Sequence, residues 1–427
     1  MTKLAIHGGN PIRVKPFPAY ITVGKEEKKA VCEVIDSGCL SKYLGIWHEQ
    51  FNGGEQVQAL EKEWSEYFGV KHAIAVNSCT SGIYCAVGAT GIEPNEEVIV
   101  SPYTMSASAT APLVYNAIPV FADIEENYYC LDPEDVERKI TSKTRAIIIV
   151  DIFGQPYDVH AINAIAKKYN LIVIEDVAQA PGAKLDGKYA GTFGDIGVFS
   201  LNYHKHIQSG EGGVIVTNND KLAEKCRLIR NHAEAVVENA AFKDLRNMIG
   251  FNYRMTEIEA AISRVQLRKL SDLNKKRIKN TVYFEEKTSH LPCIDSPRVR
   301  KGAEHVYYVH ACKFNSKIID IDRNTFIEAV RAELPHNELR EQEGVRLGCG
   351  YVKPLYLQPM FQNKIAYGSN GYPFSGSDVN YDKGICPVTE RMHFSELFSH
   401  EFILPSMRKS DIDDVIAAFE KVWKYYR

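Results

Sequence analysis

The chain has 427 residues, 45% of them hydrophobic and 25% charged, with a formal net charge of −3. These values place it among ordinary soluble globular proteins with room for one large domain and a smaller one, and they leave no basic field for nucleic acid and no basic block for an acidic membrane. Its ten cysteines are scattered, with no C-x-x-C pair and no tight Cys/His cluster along the sequence, so buried cytosolic thiols are expected and neither disulfides nor a structural metal.

The N-terminal run Met1-Thr2-Lys3-Leu4-Ala5-Ile6-His7-Gly8-Gly9 lacks the apolar core of a signal peptide, and no stretch of about 18 apolar residues occurs. A cytoplasmic protein is expected. Between residues 71 and 218, short apolar runs rich in β-branched residues (72–76, 98–101, 119–123, 145–150, 171–175, 197–200 and 213–217) alternate with amphipathic stretches. Continuous apolar strands separated by helical periods predict an α/β domain with a mainly parallel sheet covered on both faces. Helices are predicted over 81–89, from the cap and N1 proline Asp132-Pro133-Glu134, and over 161–169 behind Asp158. Thr256-Glu257-Ile258-Glu259 reads as a capping box opening a long helix toward a second unit, and 305–314, 325–334 and 411–425 predict a smaller α+β domain. The expected division is an arm over 1–24, a large domain over 25–270 and a small domain over 271–427.

Strand ends and helix starts converge at Asn77-Ser78-Cys79-Thr80, at Asp176 and at Ser200, and open α/β sheets bind ligands beside the carboxyl ends of their strands. Lys205 follows the strand ending at Ser200, just ahead of the turn Gly210-Glu211-Gly212-Gly213. A lysine amine forms a Schiff base only where burial or a nearby cation disfavours its charge, and Lys205 lies between apolar strands. Asp176 ends the apolar run Leu171-Ile172-Val173-Ile174, where a carboxylate needs a positive partner, and a protonated pyridine nitrogen is one. Ser78-Cys79-Thr80-Ser81-Gly82 is a strand-to-helix turn suited to an anion, with Ser200 as a further hydroxyl. Taken singly, each has a plainer reading: a solvated lysine, a capping aspartate, a surface glutamine at Gln179, a helix cap. Together they point to pyridoxal 5′-phosphate (PLP). The turns at 191–195 and 210–213 are expected to fix the backbone rather than touch ligand, and His204 and His206 to pack rather than shuttle protons.

Gly8-Gly9-Asn10-Pro11, Glu175-Asp176-x-x-Gln179-Ala180, Gly194-Asp195, Phe199-Ser200, Lys205, Gly210-Glu211-Gly212-Gly213 and Gly250-Phe251-Asn252-Tyr253-Arg254-Met255-Thr256 stand in an order that resembles the DegT/DnrJ/EryC1/StrS sugar aminotransferases, within the fold type I PLP enzymes. The resemblance implies that Lys205 carries the cofactor and moves the substrate proton, that Asp176 pairs with the pyridine nitrogen and that Gln179 touches the ring oxygen. It implies phosphate contacts from Thr80 and Ser200, and from Asn252 toward the neighbouring subunit, hence a homodimer with composite sites. Cys79 stands where the family commonly has glycine, and Met105 where it has an aromatic residue over the ring. The implied reaction moves an amino group from glutamate or glutamine to a keto-sugar or ketocyclitol, as in amino-sugar, lipopolysaccharide or antibiotic sugar biosynthesis. The loop 43–54, Tyr253, Arg254 and Tyr351-Val352-Lys353 are expected to select the substrate. The alternatives are a PLP-dependent sugar dehydratase, in which histidine replaces the lysine, and a non-catalytic regulatory protein on the same scaffold.

Overall fold

The computed structural model describes residues 3–238, 242–335 and 346–427. Seven runs of apolar residues form one sheet: β1 (His72–Val76), β2 (Glu97–Val100), β3 (Ile118–Phe121), β4 (Thr144–Val150), β5 (Ile172–Asp176), β6 (Ile196–Ser200) and β7 (Gly213–Thr217). Their order across the sheet is β1-β7-β6-β5-β4-β2-β3. All run parallel except β7, which is antiparallel to both of its neighbours. This is the mainly parallel α/β sheet that the apolar runs predict. Residues 201–212, which connect β6 to β7, form no helix that could cross over the sheet, and β7 returns antiparallel.

Alternate residues of each strand face opposite sides, and both sides are buried. Ile74, Val76, Ile148 and Ile174 pack into one core with helices Cys79–Ala89, Ala107–Val114 and Asp220–Arg230. Ile147, Ile149 and Val173 pack into a second core on the opposite face. Ala73, Ala75, Val214 and Val216 meet the helix Glu55–Phe68 on that same side. The capping box is present: Thr256 Oγ1 accepts from Glu259 N at 3.3 Å, and Glu259 Oε2 accepts from Thr256 N at 2.9 Å. It opens the helix Glu257–Thr288, which runs unbroken from the large sheet to the C-terminal unit. There, β8 (Ile294–Asp295), β9 (His310–Phe314), β10 (Leu347–Cys349) and β11 (Leu397–His400) form an antiparallel sheet in the order β8-β9-β11-β10. Helices Arg323–Ala332 and Lys409–Tyr426 and the ring of Phe284 cover it.

The segment between β10 and β11 reaches back. Leu355, Tyr356, Phe361, Phe374 and Tyr381 join the core of the large sheet. Asp123, after β3, accepts from Val388 N at 2.7 Å, Thr389 N at 2.9 Å and Thr389 Oγ1 at 2.7 Å. Among the described residues no helix is long and apolar enough to cross a membrane.

The N-terminal arm is tied to the C-terminal unit by Glu333, whose side chain is fully buried. It accepts from Ala5 N at 2.8 Å and Ile12 N at 3.1 Å, and pairs with Lys421 Nζ at 2.7 Å. Removing this carboxylate strands two amides and leaves Lys421 Nζ only the carbonyl of Asn10, 2.7 Å away. Glu333→Ala is therefore expected to cost about 3 kcal/mol, read as a lowered midpoint in denaturant unfolding, while Lys29→Ala, whose ion pair is exposed, leaves the midpoint unchanged.

Candidate active site

A cavity of about 200 Å³ opens at the carboxyl ends of β5 and β6. Its floor and walls are Ser78, Cys79 and Thr80 after β1, Thr104 and Met105 after β2, Asp176, Ala178 and Gln179 after β5, and Ser200, Asn202 and Lys205 after β6. Tyr308 and Tyr351 close it from the C-terminal unit. The convergence of strand ends thus brings Cys79, Thr80, Met105, Asp176, Gln179, Ser200 and Lys205 together.

Lys205 is 9% exposed, and its Nζ stands 4.3 Å from the centre of the Tyr308 ring. Among the described residues no carboxylate lies within ion-pair distance of it, and the ring face gives its charge a favourable contact. Asp176 is also buried, and its oxygens are held by Ser108 Oγ at 2.7 Å and Ala178 N at 3.1 Å. Burial pushes the Asp176 carboxyl up, and these two bonds together with the charge of Lys205 pull it back. Cys79 Sγ lies 4.0 Å from the same carboxylate, and burial together with that negative charge drives its thiol well up, so the side chain stays neutral.

The helix Cys79–Ala89 begins at the cavity. Ser78 Oγ caps it by accepting from Ser81 N at 3.0 Å, and the first intrahelical donor is Gly82. The amides of Cys79 and Thr80 precede that donor, which leaves a positive helix end beside the hydroxyls of Thr80 and Ser200. Gly213 on β7 packs against this turn so closely that an added Cβ would lie 2.7 Å from Cys79 N, so only glycine lets the strand approach. Behind β5, Glu175 accepts from the amides of Gly191, Phe193 and Gly194, which fixes the 191–194 turn as a structural element.

Gln179 is buried and works on two fronts. Its Oε1 accepts from Phe153 N at 2.8 Å, and its Nε2 donates to Tyr351 Oη at 2.9 Å. Phe153 holds φ of 60°, a left-handed backbone that this bond secures. His204 lines the cavity beside Tyr308, whereas His206 turns away, its Nε2 3.1 Å from Val306 O and its ring kept neutral chiefly by burial. Met105 is 64% exposed at the rim.

Asn252, Tyr253, Arg254 and Lys353 do not line this cavity. Asn252 is exposed and accepts from Arg254 Nε at 2.8 Å, Tyr253 stacks on Phe251 at 4.7 Å, and Lys353 is exposed beyond Tyr351. Much of the loop 43–54 borders a separate polar hollow of about 700 Å³ with Lys71, His72 and Arg227. Two contributors had no sequence signal: Ser108, which enters from the start of a helix, and Tyr308, which arrives from another unit of the chain.

An anion cradle at a helix start, a buried amine with no carboxylate against it and a buried carboxylate facing the same space match the three handles of PLP: phosphate, aldehyde and ring nitrogen. The fold is that of a type I PLP-dependent transferase. Residues 23–420 match the DegT/DnrJ/EryC1/StrS aminotransferase family, and the chain belongs to it. It is 31% identical to a GDP-perosamine synthase of Vibrio cholerae, covering 84% of this chain and 92% of that one. It is 29% identical to L-glutamine:2-deoxy-scyllo-inosose aminotransferase of Micromonospora echinospora, covering 100% and 99%. The structure of an aminotransferase from Psychrobacter cryohalolentis superposes with a TM-score of 0.80 at 26% identity over 97% of this chain and all of the other. The protein is a PLP-dependent aminotransferase.

Ser108 offsets the burial of Asp176, and a hydrogen bond to a charged group contributes about 1.5–3 kcal/mol. Ser108→Ala is expected to weaken PLP binding about tenfold or more in a titration followed by visible absorbance, with Ser108→Thr restoring most of the affinity.

Proposed function

We propose that the protein transfers the amino group of glutamate or glutamine to a keto-sugar or ketocyclitol in amino-sugar biosynthesis. The observation that carries this reading is Lys205, buried against Tyr308 beyond the end of β6, with no carboxylate in ion-pair distance among the described residues and with Asp176 lining the same cavity. Bound PLP supplies an aldehyde that takes up the amino group and a ring that draws electrons from the substrate carbon. Thr80, Ser200 and the amides at the start of the Cys79–Ala89 helix would hold its phosphate, Asp176 would hold the ring nitrogen, and Gln179 would meet the ring oxygen. Lys205 Nζ takes the α-proton of the donor and returns a proton to the acceptor carbon. Tyr308 and Tyr351 keep water from that amine. Retention of lysine, rather than histidine, favours amino transfer over dehydration. The names of two relatives, one acting on a GDP-sugar and one on a cyclitol, support the carbohydrate class without choosing between a nucleotide-linked and a free acceptor.

The active form in this reading is a cytoplasmic homodimer. Asn252 sits on an exposed segment near Leu245 and Ile249, which are 60% and 72% exposed, and an apolar border of this kind suits a partner subunit. Tyr253 and Arg254 then belong to the partner's cavity, and Lys353 and the loop 43–54 to its substrate entrance.

Glutamate or glutamine is expected to bleach the visible absorbance of the loaded enzyme, and Lys205→Ala to abolish both that absorbance and the bleaching. The aminated form left by the donor, mixed with keto-sugars and ketocyclitols, should recover its colour only with the true acceptor, the product being read by mass and NMR. If neither amino acid alters the spectrum the donor assignment is wrong, and release of water without amino transfer would make the enzyme a dehydratase. Co-expressed Lys205→Ala and Asn252→Ala chains, each inactive alone, should regain part of the activity if sites are shared between subunits. No recovery would assign Asn252 to its own chain.

A further inference from the structure

The small sheet holds a cluster that PLP chemistry does not use. His310 and Cys312 are two residues apart on β9 and leave the same face, and His400 on β11 is the register partner of His310. All three are buried, and one ligand atom from each lies within 4.8 Å of the other two. His310 Nδ1 is 2.6 Å from His400 Nε2 and 3.5 Å from Cys312 Sγ. On its far side, His310 Nε2 is 2.9 Å from Glu285 Oε1 of the long helix.

A carboxylate at Nε2 draws the ring hydrogen there and turns the Nδ1 lone pair inward, the arrangement by which metal-binding histidines are oriented. In the neutral ring, His400 Nε2–H and Cys312 S–H then converge on one lone pair, and protons alone satisfy only one of them. A cation at the point of convergence takes three lone pairs at once. The donor set selects the ion: one thiolate with two imidazoles suits zinc. Bonds of about 2.05 Å to nitrogen and 2.3 Å to sulfur in a tetrahedron separate N from S by roughly 3.6 Å and N from N by roughly 3.3 Å. The spacing of His310 Nδ1 and Cys312 Sγ already fits, and the two rings must part by about 0.7 Å. Charge balances too. Zn²⁺ enters, the Cys312 proton leaves to solvent, and the thiolate together with the Glu285 carboxylate neutralises the ion. Phe284, 5.5 Å from the His310 ring and 5.0 Å from the His400 ring, and Phe419, 6.1 Å from the latter, give the cluster an apolar shell.

We propose that His310, Cys312 and His400 supply three of the four ligands of a zinc site, a water taking the fourth, with Glu285 orienting His310 from behind. It staples β9 and β11 to the long helix, two residues beyond Tyr308, and so fixes the ring on which Lys205 rests. Its sequence signal is hidden, because Cys312 and His310 are next neighbours on one face while His400 comes 90 residues after His310.

The test loads the full-length, PLP-bound protein with Zn²⁺, removes loose metal by gel filtration and measures zinc by elemental mass spectrometry. One equivalent per chain is expected. In chelator-treated protein, Co²⁺ should give tetrahedral visible bands and a thiolate band in the near ultraviolet. Cys312→Ser should lose the thiolate band, His400→Asn should lower occupancy, and Glu285→Gln should bind Co²⁺ about 10–100-fold more weakly. PLP absorbance in each variant checks that it is folded, and Glu285→Gln, at a part-exposed position, covers the case in which a buried substitution unfolds. No retained zinc, or a Co²⁺ spectrum unaltered by Cys312→Ser, overturns the proposal and leaves a proton shared between the two rings.

Discussion

A buried amine with no carboxylate in ion-pair distance among the described residues is the constraint on which this structure depends. Burying a cation is costly unless it is paired, and the cheapest solution, a salt bridge from Lys205 to Asp176, would cancel both groups. The fold avoids it by giving Asp176 other partners. Ser108 and Ala178 occupy its oxygens, Tyr308 offers Lys205 a ring face, and the two charges sense one another across the cavity without contact. Both groups therefore remain available to a third species, and a cofactor with a phosphate, an aldehyde and a ring nitrogen is the one that uses all of the handles present.

The sequence is most legible where chemistry and local structure coincide. Apolar runs buried on both faces locate all seven strands to within a residue or two, and Thr80, Asp176, Ser200 and Lys205 stand beside their ends, so finding the strands finds the residues. Strand order and the reversal of β7 are not legible, because an apolar run reads the same in either direction and any neighbour satisfies it. Ser108 and Tyr308 escape for a related reason. Each acts through a contact made only after distant segments meet, and alone each looks like an ordinary helix serine or core tyrosine. His310, Cys312 and His400 are scattered in the chain and adjacent only through β-pairing.

Gln179 joins the two halves of the site. One amide atom secures the left-handed backbone of Phe153 and the other holds the phenol of Tyr351, so the residue beside the proposed ring oxygen also fixes a wall from the C-terminal unit. Substituting it removes two buried hydrogen bonds as well as any contact with ligand, which means that loss of binding in such a variant cannot be assigned to the cofactor contact alone.

That wall is anchored on its far side as well. Tyr351 N donates to Tyr103 Oη at 2.8 Å, Leu355 N to Pro102 O at 2.8 Å and Tyr381 Oη to Pro119 O at 2.8 Å, while Asp123 gathers three donors from the helix start at Val388 and Thr389. A hinge that opened the C-terminal unit away from the large sheet would break these bonds together and expose the aromatic cluster of Phe121, Phe361 and Tyr381. Packed interfaces of this kind hold one arrangement rather than deforming continuously. The cavity is accordingly a preformed socket, with Met105 exposed at its rim outside that packing.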